Sequence, residues 1–258
     1  MKKLITVTTT ALLLLGMPAA FPEERAELYN QANRLYIMKE YRQAHELYRE
    51  LVDRGIEHPF LYYNLANTSY KLGYKGEAVL YYERALRLRP LDREIRANLR
   101  LVKKSLDDQI TPLYNEGFTR FYTTLLSAFT LSYLAFLELG FFVLTVGLFA
   151  GALLFPALRG RLRGACVVSG VFLVLAFSGM LVRRHQERNR PRAVVMEEQV
   201  QARASPIAES EELFALHEGA GIRIIEQRGE WVRFQLADGR EGWLLLRSVR
   251  PIEPDALL

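Results

Sequence analysis

Read from its first residue, the chain changes its pattern of apolar and polar positions three times. Behind Lys2 and Lys3 lies an apolar stretch through Leu15, followed by small residues. Helical periodicity comes next, with large residues on one face. Residues 121–156 then carry one charge, Glu138, in 36 positions, and residues 165–182 (ACVVSGVFLVLAFSGMLV) carry none in 18. From Ala193 to Ile252 the period drops to two: IRIIE (222–226) and VRFQL (232–236) read as half-buried strands, and ADGR (237–240) supplies an Asp-Gly turn that folds the second back on EGWLLL. The pattern predicts a multidomain membrane protein, with a helical N-terminal domain, a two-helix transmembrane hairpin and a small all-β barrel.

Each apolar segment has its own length argument. Residues 1–20 have the layout of a secretory signal peptide. Met17-Pro18-Ala19 matches a cleavage site poorly, so an uncleaved anchor is the alternative. No cysteine follows the stretch, which excludes lipoprotein anchoring there, and in either case residues 22 onward are expected to cross the membrane. At 1.5 Å per residue, residues 165–182 just span a hydrocarbon core of roughly 30 Å, whereas 121–156 is too long for one straight crossing. The longer run therefore divides into an interfacial helix at 117–133 and a transmembrane helix at 136–155, which leaves Glu138 at a headgroup boundary. Pro156 and RGRLRG (159–164) are expected to close the hairpin. Arginines flank both ends of the second span: Arg159, Arg161 and Arg163 before it, Arg183, Arg184, Arg188, Arg190 and Arg192 after it. The positive-inside rule therefore pulls both ways. The export signal decides, placing the turn inside and both flanking domains outside.

Tyr-Asn-x-Ala-Asn occurs twice, at 29–33 and 63–67, and the shift of 34 residues also pairs Leu28 with Tyr62, Tyr36 with Tyr70, Ala44 with Ala78 and Tyr48 with Tyr82. Ala32, Ala44, Ala66 and Ala78 fall where antiparallel helices would approach, and Gly55, Gly73 and Pro90 fall at breaks. These residues resemble the tetratricopeptide repeat, departing from it at Ser69 and Lys75. Residues 92–108 repeat the first helix alone, with Asn98 and Leu99 in register with Asn64 and Leu65. Residues 22–108 thus make two repeats and a capping helix, a solenoid so short that contact with another protein or the membrane is expected to complete it. The resemblance implies a concave peptide-binding face bearing Tyr29, Asn33, Tyr63, Asn64, Asn67 and Asn98. The alternative is that these tyrosines pack between repeats and the asparagines serve helix contacts. Tyr29 and Glu94 stand where carboxylate-capturing repeats use lysines, which argues against that mode.

The Gly-Glu-Trp-Val (229–232) and Asp-Gly-x-x-Gly-Trp (238–243) stretches lie in a segment, 193–253, that resembles bacterial SH3 domains along its length. That resemblance implies an aromatic ligand surface at Trp231 and Trp243; the alternative is that both fill the small core.

Charge and chemistry narrow the function classes. The net charge is +5, but the arginines crowd beside the apolar runs, where lipid phosphates are the natural counter-charges, so nucleic acid is not an expected partner. Cys166, the single cysteine, has no intrachain partner. His45, His58, His185 and His217 are scattered without metal-ligand spacing, and no phosphate loop or nucleophile elbow occurs. No catalytic site, metal or cofactor is expected. Taken in order, the leader, the repeats, the interfacial helix, the hairpin and the terminal SH3-like segment resemble the BatE-like proteins of bacterial aerotolerance operons. This resemblance implies an inner-membrane scaffold whose partners are other Bat proteins, including membrane proteins with von Willebrand A domains, and indirectly a cytoplasmic MoxR-type ATPase. Peptidoglycan, gripped by the barrel, is the rival partner.

Overall fold

The computed structural model describes residues 23–111, 131–189 and 191–253. The leader lies outside the described residues, as does the expected interfacial helix apart from residues 131–133, which open a later helix. The chain forms two compact units, Met1–Ile56 and Glu57–Leu258.

In the first unit, helices α1 (Glu23–Ile37) and α2 (Tyr41–Asp53) pair across Ala32 and Ala44, both fully buried. A Cβ and nothing more at these two points lets the backbones approach. Lys39, at φ 66°, turns the chain between them.

The second unit repeats this pair. Helix α3 (Pro59–Leu72) opens on Pro59, whose missing N–H costs nothing in the first turn, and stops at Gly73, whose φ of 87° is the left-handed cap that glycine adopts freely. Helix α4 (Lys75–Leu88) runs back against it, with Ala66 and Ala78 both fully buried. Ser69, small where the repeat pattern expects a large residue, has its hydroxyl 2.9 Å from the Leu65 carbonyl oxygen and 3.0 Å from a Glu77 carboxylate oxygen, two acceptors that share its one proton. Helix α5 (Arg93–Lys104) starts at Asp92, whose carboxylate accepts the N–H groups of Glu94 and Ile95, and buries Ile95, Leu99 and Val102.

Helices α6 (Leu131–Leu154) and α7 (Arg159–Asn189) form an antiparallel hairpin. Thr145 Oγ1 donates to Ser169 Oγ at 2.9 Å, and the Phe141 and Phe172 rings stack 5.5 Å apart. Two stretches within it, Ala135–Leu154 and Pro156–Leu181, are long and apolar enough to cross a membrane. The turn falls earlier than the sequence suggests. It is a single 3-10 turn, Pro156–Leu158, and the arginine run expected to make it forms the opening of α7. Arg159 reaches back to donate to the Ala152 carbonyl (3.2 Å), one of the acceptors left open at the end of α6.

The C-terminal region is an antiparallel sheet of β1 (Arg192–Val195), β2 (Gln199–Arg203), β3 (Glu212–His217), β4 (Gly221–Arg228), β5 (Trp231–Gln235), β6 (Glu241–Leu245) and β7 (Val249–Pro251), in the order β3-β2-β6-β5-β4-β1-β7. Side chains from every strand, including Leu216 on one edge and Val249 on the other, enter one core, which a flat sheet could not arrange, so the sheet curls on itself. The expected β5–β6 hairpin is present, turning at Gly239 (φ 87°), and β4 also pairs with β5.

The sheet also packs on the helical repeat of its own unit. Leu106 lies against Gly219, where a Cβ would stand 2.5 Å from the leucine Cδ2, and Ile110 packs against the core of the sheet. The sequence pointed to another protein or the membrane as the cover for the short solenoid; in the second unit the chain's own sheet gives part of that cover.

Overpacking the α3–α4 crossing tests the helix-pair reading. Ala78→Leu is expected to destabilise the second unit by about 1–3 kcal/mol, seen as a lower urea midpoint in detergent, while leaving helical content unchanged at low urea. An unaltered midpoint would show that the helices do not approach at Ala78.

Candidate functional site

The motif repeated at a shift of 34 residues encodes a side-chain arrangement built twice. In the first unit the Tyr48 hydroxyl donates to Asn33 Oδ1 at 2.7 Å, and the Tyr29 and Tyr48 rings lie 5.9 Å apart at 59°. In the second the Tyr82 hydroxyl donates to Asn67 Oδ1, and the Tyr63 and Tyr82 rings lie 6.0 Å apart at 60°. Tyr48 and Tyr82 are buried, and burying a hydroxyl without an acceptor is costly. One duty of Asn33 and Asn67 is therefore to satisfy the tyrosine of the following helix.

Around Asn67 the second unit extends this pair into a network. Asn98, on α5, donates through Nδ2 to the Tyr63 hydroxyl (3.1 Å) and to Asn67 Oδ1 (3.3 Å). Tyr63 in turn donates to Glu94 Oε1 at 2.6 Å. The register of Asn98 with Asn64 thus places it beside the preceding repeat. Asn64 lies on the same helix, its main-chain carbonyl accepting from the Thr68 hydroxyl at 2.6 Å. Tyr63, Asn67 and Asn98 come together in the second unit, and Tyr29 and Asn33 belong to the first. Glu94, which in the sequence served only to argue against carboxylate capture, joins this network as the acceptor of Tyr63, and Asp92 ahead of it marks the helix start that fixes its place.

Electrostatically, this face offers one exposed carboxylate, amide groups and half-buried phenols. Burial pushes the Tyr63 hydroxyl above its usual range, and the hydrogen bond to Glu94, which holds the proton, adds to this; bonds from Asn67 and Asn98 pull the other way. Burial likewise raises Tyr29, with its bond to Asn33 opposing. Such a surface can trade amide hydrogen bonds with an extended peptide backbone and stack on its side chains.

Trp231 and Trp243 both lie on the face of the sheet turned away from the core. Trp243 pairs with Arg233 and Trp231 with Leu245 across β5 and β6, while Val232, Phe234 and Leu244 point into the core cluster. Trp243 is only 7% exposed, and the Arg228 guanidinium sits 5.4 Å from its ring. Glu138 is half-buried in the apolar α6–α7 hairpin, in a groove with Leu139, Phe142, Leu173 and Phe177.

Two outcomes follow for the network. Tyr82→Phe removes a donor from Asn67 and is expected to cost about 1 kcal/mol of stability. Because Tyr63 holds its proton more tightly folded than unfolded, its contribution is present below pH 10.0, the ordinary tyrosine value, and is lost as pH rises above it. Tyr63→Phe should accordingly flatten the alkaline fall in urea midpoint, and an unchanged fall would remove Tyr63 from the network.

A family model for the tetratricopeptide repeat matches residues 59–92, the stretch spanning α3, α4 and the Asp92 cap. No curated protein matches the chain. The second unit therefore carries a repeat of a kind that serves protein–protein interaction and is typically non-catalytic.

Proposed function

We propose that this chain is a non-enzymatic adaptor of a bacterial inner membrane, which presents a tetratricopeptide-repeat face and an SH3-like barrel on the periplasmic side for assembly with other membrane proteins. The observation that carries the reading is the Tyr63–Asn67–Asn98–Glu94 face, formed by the first helix of the matched repeat and by α5 after it, set in one chain with two helices of membrane-spanning length. On this reading Tyr29, Asn33, Tyr63, Asn64, Asn67 and Asn98 take an extended segment of a partner. Trp231 and Trp243 offer a second contact surface, and the arginines of α7 engage lipid phosphates. The whole-chain resemblance supplies the company: a Bat-type complex for envelope stress or aerotolerance, with von Willebrand A-domain membrane proteins alongside and a MoxR-type ATPase across the membrane.

A second reading, a cell-wall tether, draws support from Trp231, which is partly exposed on the face of the sheet away from the core. The readings separate experimentally. Full-length protein purified in mild detergent from native membranes at endogenous level should bring von Willebrand A-domain proteins with it, and Glu94→Lys should cut their recovery about tenfold without reducing membrane insertion. Recovery of the chain alone would contradict the adaptor reading. Sedimentation of the detergent-solubilised chain with purified sacculi, abolished by Trp231→Ala, would favour the tether.

A further inference from the structure

Within the second unit the sheet meets the repeat through groups that do not belong to either candidate binding surface. Glu218, in the turn between β3 and β4, accepts the main-chain N–H of Gly76 at 3.0 Å. A carboxylate from the sheet thereby caps the first turn of α4, whose N–H groups have no partner within the helix. Gly76 permits the approach, since a Cβ there would stand 3.0 Å from the Val195 carbonyl oxygen. Farther along α4, Arg84 donates to the Pro251 carbonyl at 2.9 Å. After α5, Asp108 accepts the His217 main-chain N–H at 2.6 Å, with the ring Nδ1 3.1 Å from its other oxygen.

Between these contacts lies Glu83. Its side chain is 14% exposed, with Lys103 Nζ at 2.6 Å on one oxygen and Arg192 Nη1 at 3.4 Å on the other. Lys103 is on the last described helix before the membrane hairpin, and Arg192 is the first residue of the first strand after it. A carboxylate this buried requires compensating charge. Burial works to raise its pKa, but Lys103 and Arg192 prevail and hold it below the usual carboxylate range.

We infer that Glu83 is a clasp joining the chain segment that enters the membrane hairpin to the one that leaves it, so that repeat, cap helix and sheet form one body on a single face of the membrane. The partner of the back of α4 is the chain's own C-terminal sheet. Two antiparallel crossings return the chain to the face it left, as this contact requires. The clasp leaves the Tyr63–Glu94 face and the tryptophan face of the sheet available at once. It rests on the membrane crossings of the adaptor reading but not on its partners: it concerns how the domains are held, whatever they bind.

The test uses the full chain in native membrane vesicles, with Cys166→Ser removing the only natural thiol. A Cβ at Gly76 lies 3.3 Å from the Glu218 Cβ, close to the roughly 3.5–4.5 Å that a disulfide spans. Gly76→Cys with Glu218→Cys should form an intramolecular disulfide on oxidation. Gly76→Cys with Gln227→Cys, roughly 20 Å along β4 from Gly221, should form about tenfold less. Asp108→Cys with His217→Cys provides a second pair, should the tight approach at Gly76 resist a side chain. Adding Glu83→Lys to the reactive pair should slow disulfide formation about tenfold while the emission of Trp231 and Trp243, both in the sheet, stays unchanged. Failure of both pairs to link, with all their thiols reactive after solubilisation, would overturn the inference, as would a link formed between two chains. Undiminished linking in Glu83→Lys would remove the clasp role from Glu83.

Discussion

The second unit depends on one carboxylate that water scarcely reaches. Glu83 could be left nearly buried because two cations converge on it from segments far apart in the chain, Lys103 from α5 and Arg192 from β1. Removing both cations would strand a charge in a poorly solvated place, where the penalty exceeds what a surface ion pair contributes. Around it the contacts are neutral or charge-assisted: Glu218 on the start of α4, Asp108 on His217, Leu106 against Gly219. Together they do for a short solenoid what further repeats would do, covering the back of its last full helix pair.

The same contacts divide the surface by role. The back of α4 is spent on the sheet, and the Tyr63–Asn67–Asn98–Glu94 network lies on the first helix of the repeat and on α5. Asn67 shows how a single side chain serves two internal contacts, since its oxygen satisfies the buried Tyr82 hydroxyl and also receives Asn98. Substituting such residues alters folding before it alters binding, which makes exposed Glu94 the cleaner probe.

Much of this was legible in the residues. The shift of 34 positions located both helix pairs, the buried alanines and the duplicated tyrosine–asparagine geometry, because a repeat writes the same three-dimensional contact twice. The period-two stretch located the strands, and it also held an unused signal: Trp231 and Trp243 are out of phase with Val232, Phe234 and Leu244, which placed them off the core. The hairpin turn was drawn too wide because arginines look like a loop, whereas three residues opened by Pro156 sufficed. The docking of sheet on repeat was not legible. Glu83, Asp108 and Glu218 are ordinary surface residues by composition and local pattern, and only the long-range path of the chain makes them meet.

The most direct measurement is membrane-sidedness by thiol labelling in sealed spheroplasts. Single cysteines would replace exposed Lys71 on the repeat, Gln227 on the sheet and Arg161 beyond the hairpin turn, each in a Cys166→Ser chain. A membrane-impermeant maleimide is expected to label the first two from the outside and to reach the third only after the membrane is broken. Labelling of Lys71→Cys without Gln227→Cys, or the reverse, would put repeat and sheet on opposite faces and contradict the clasp.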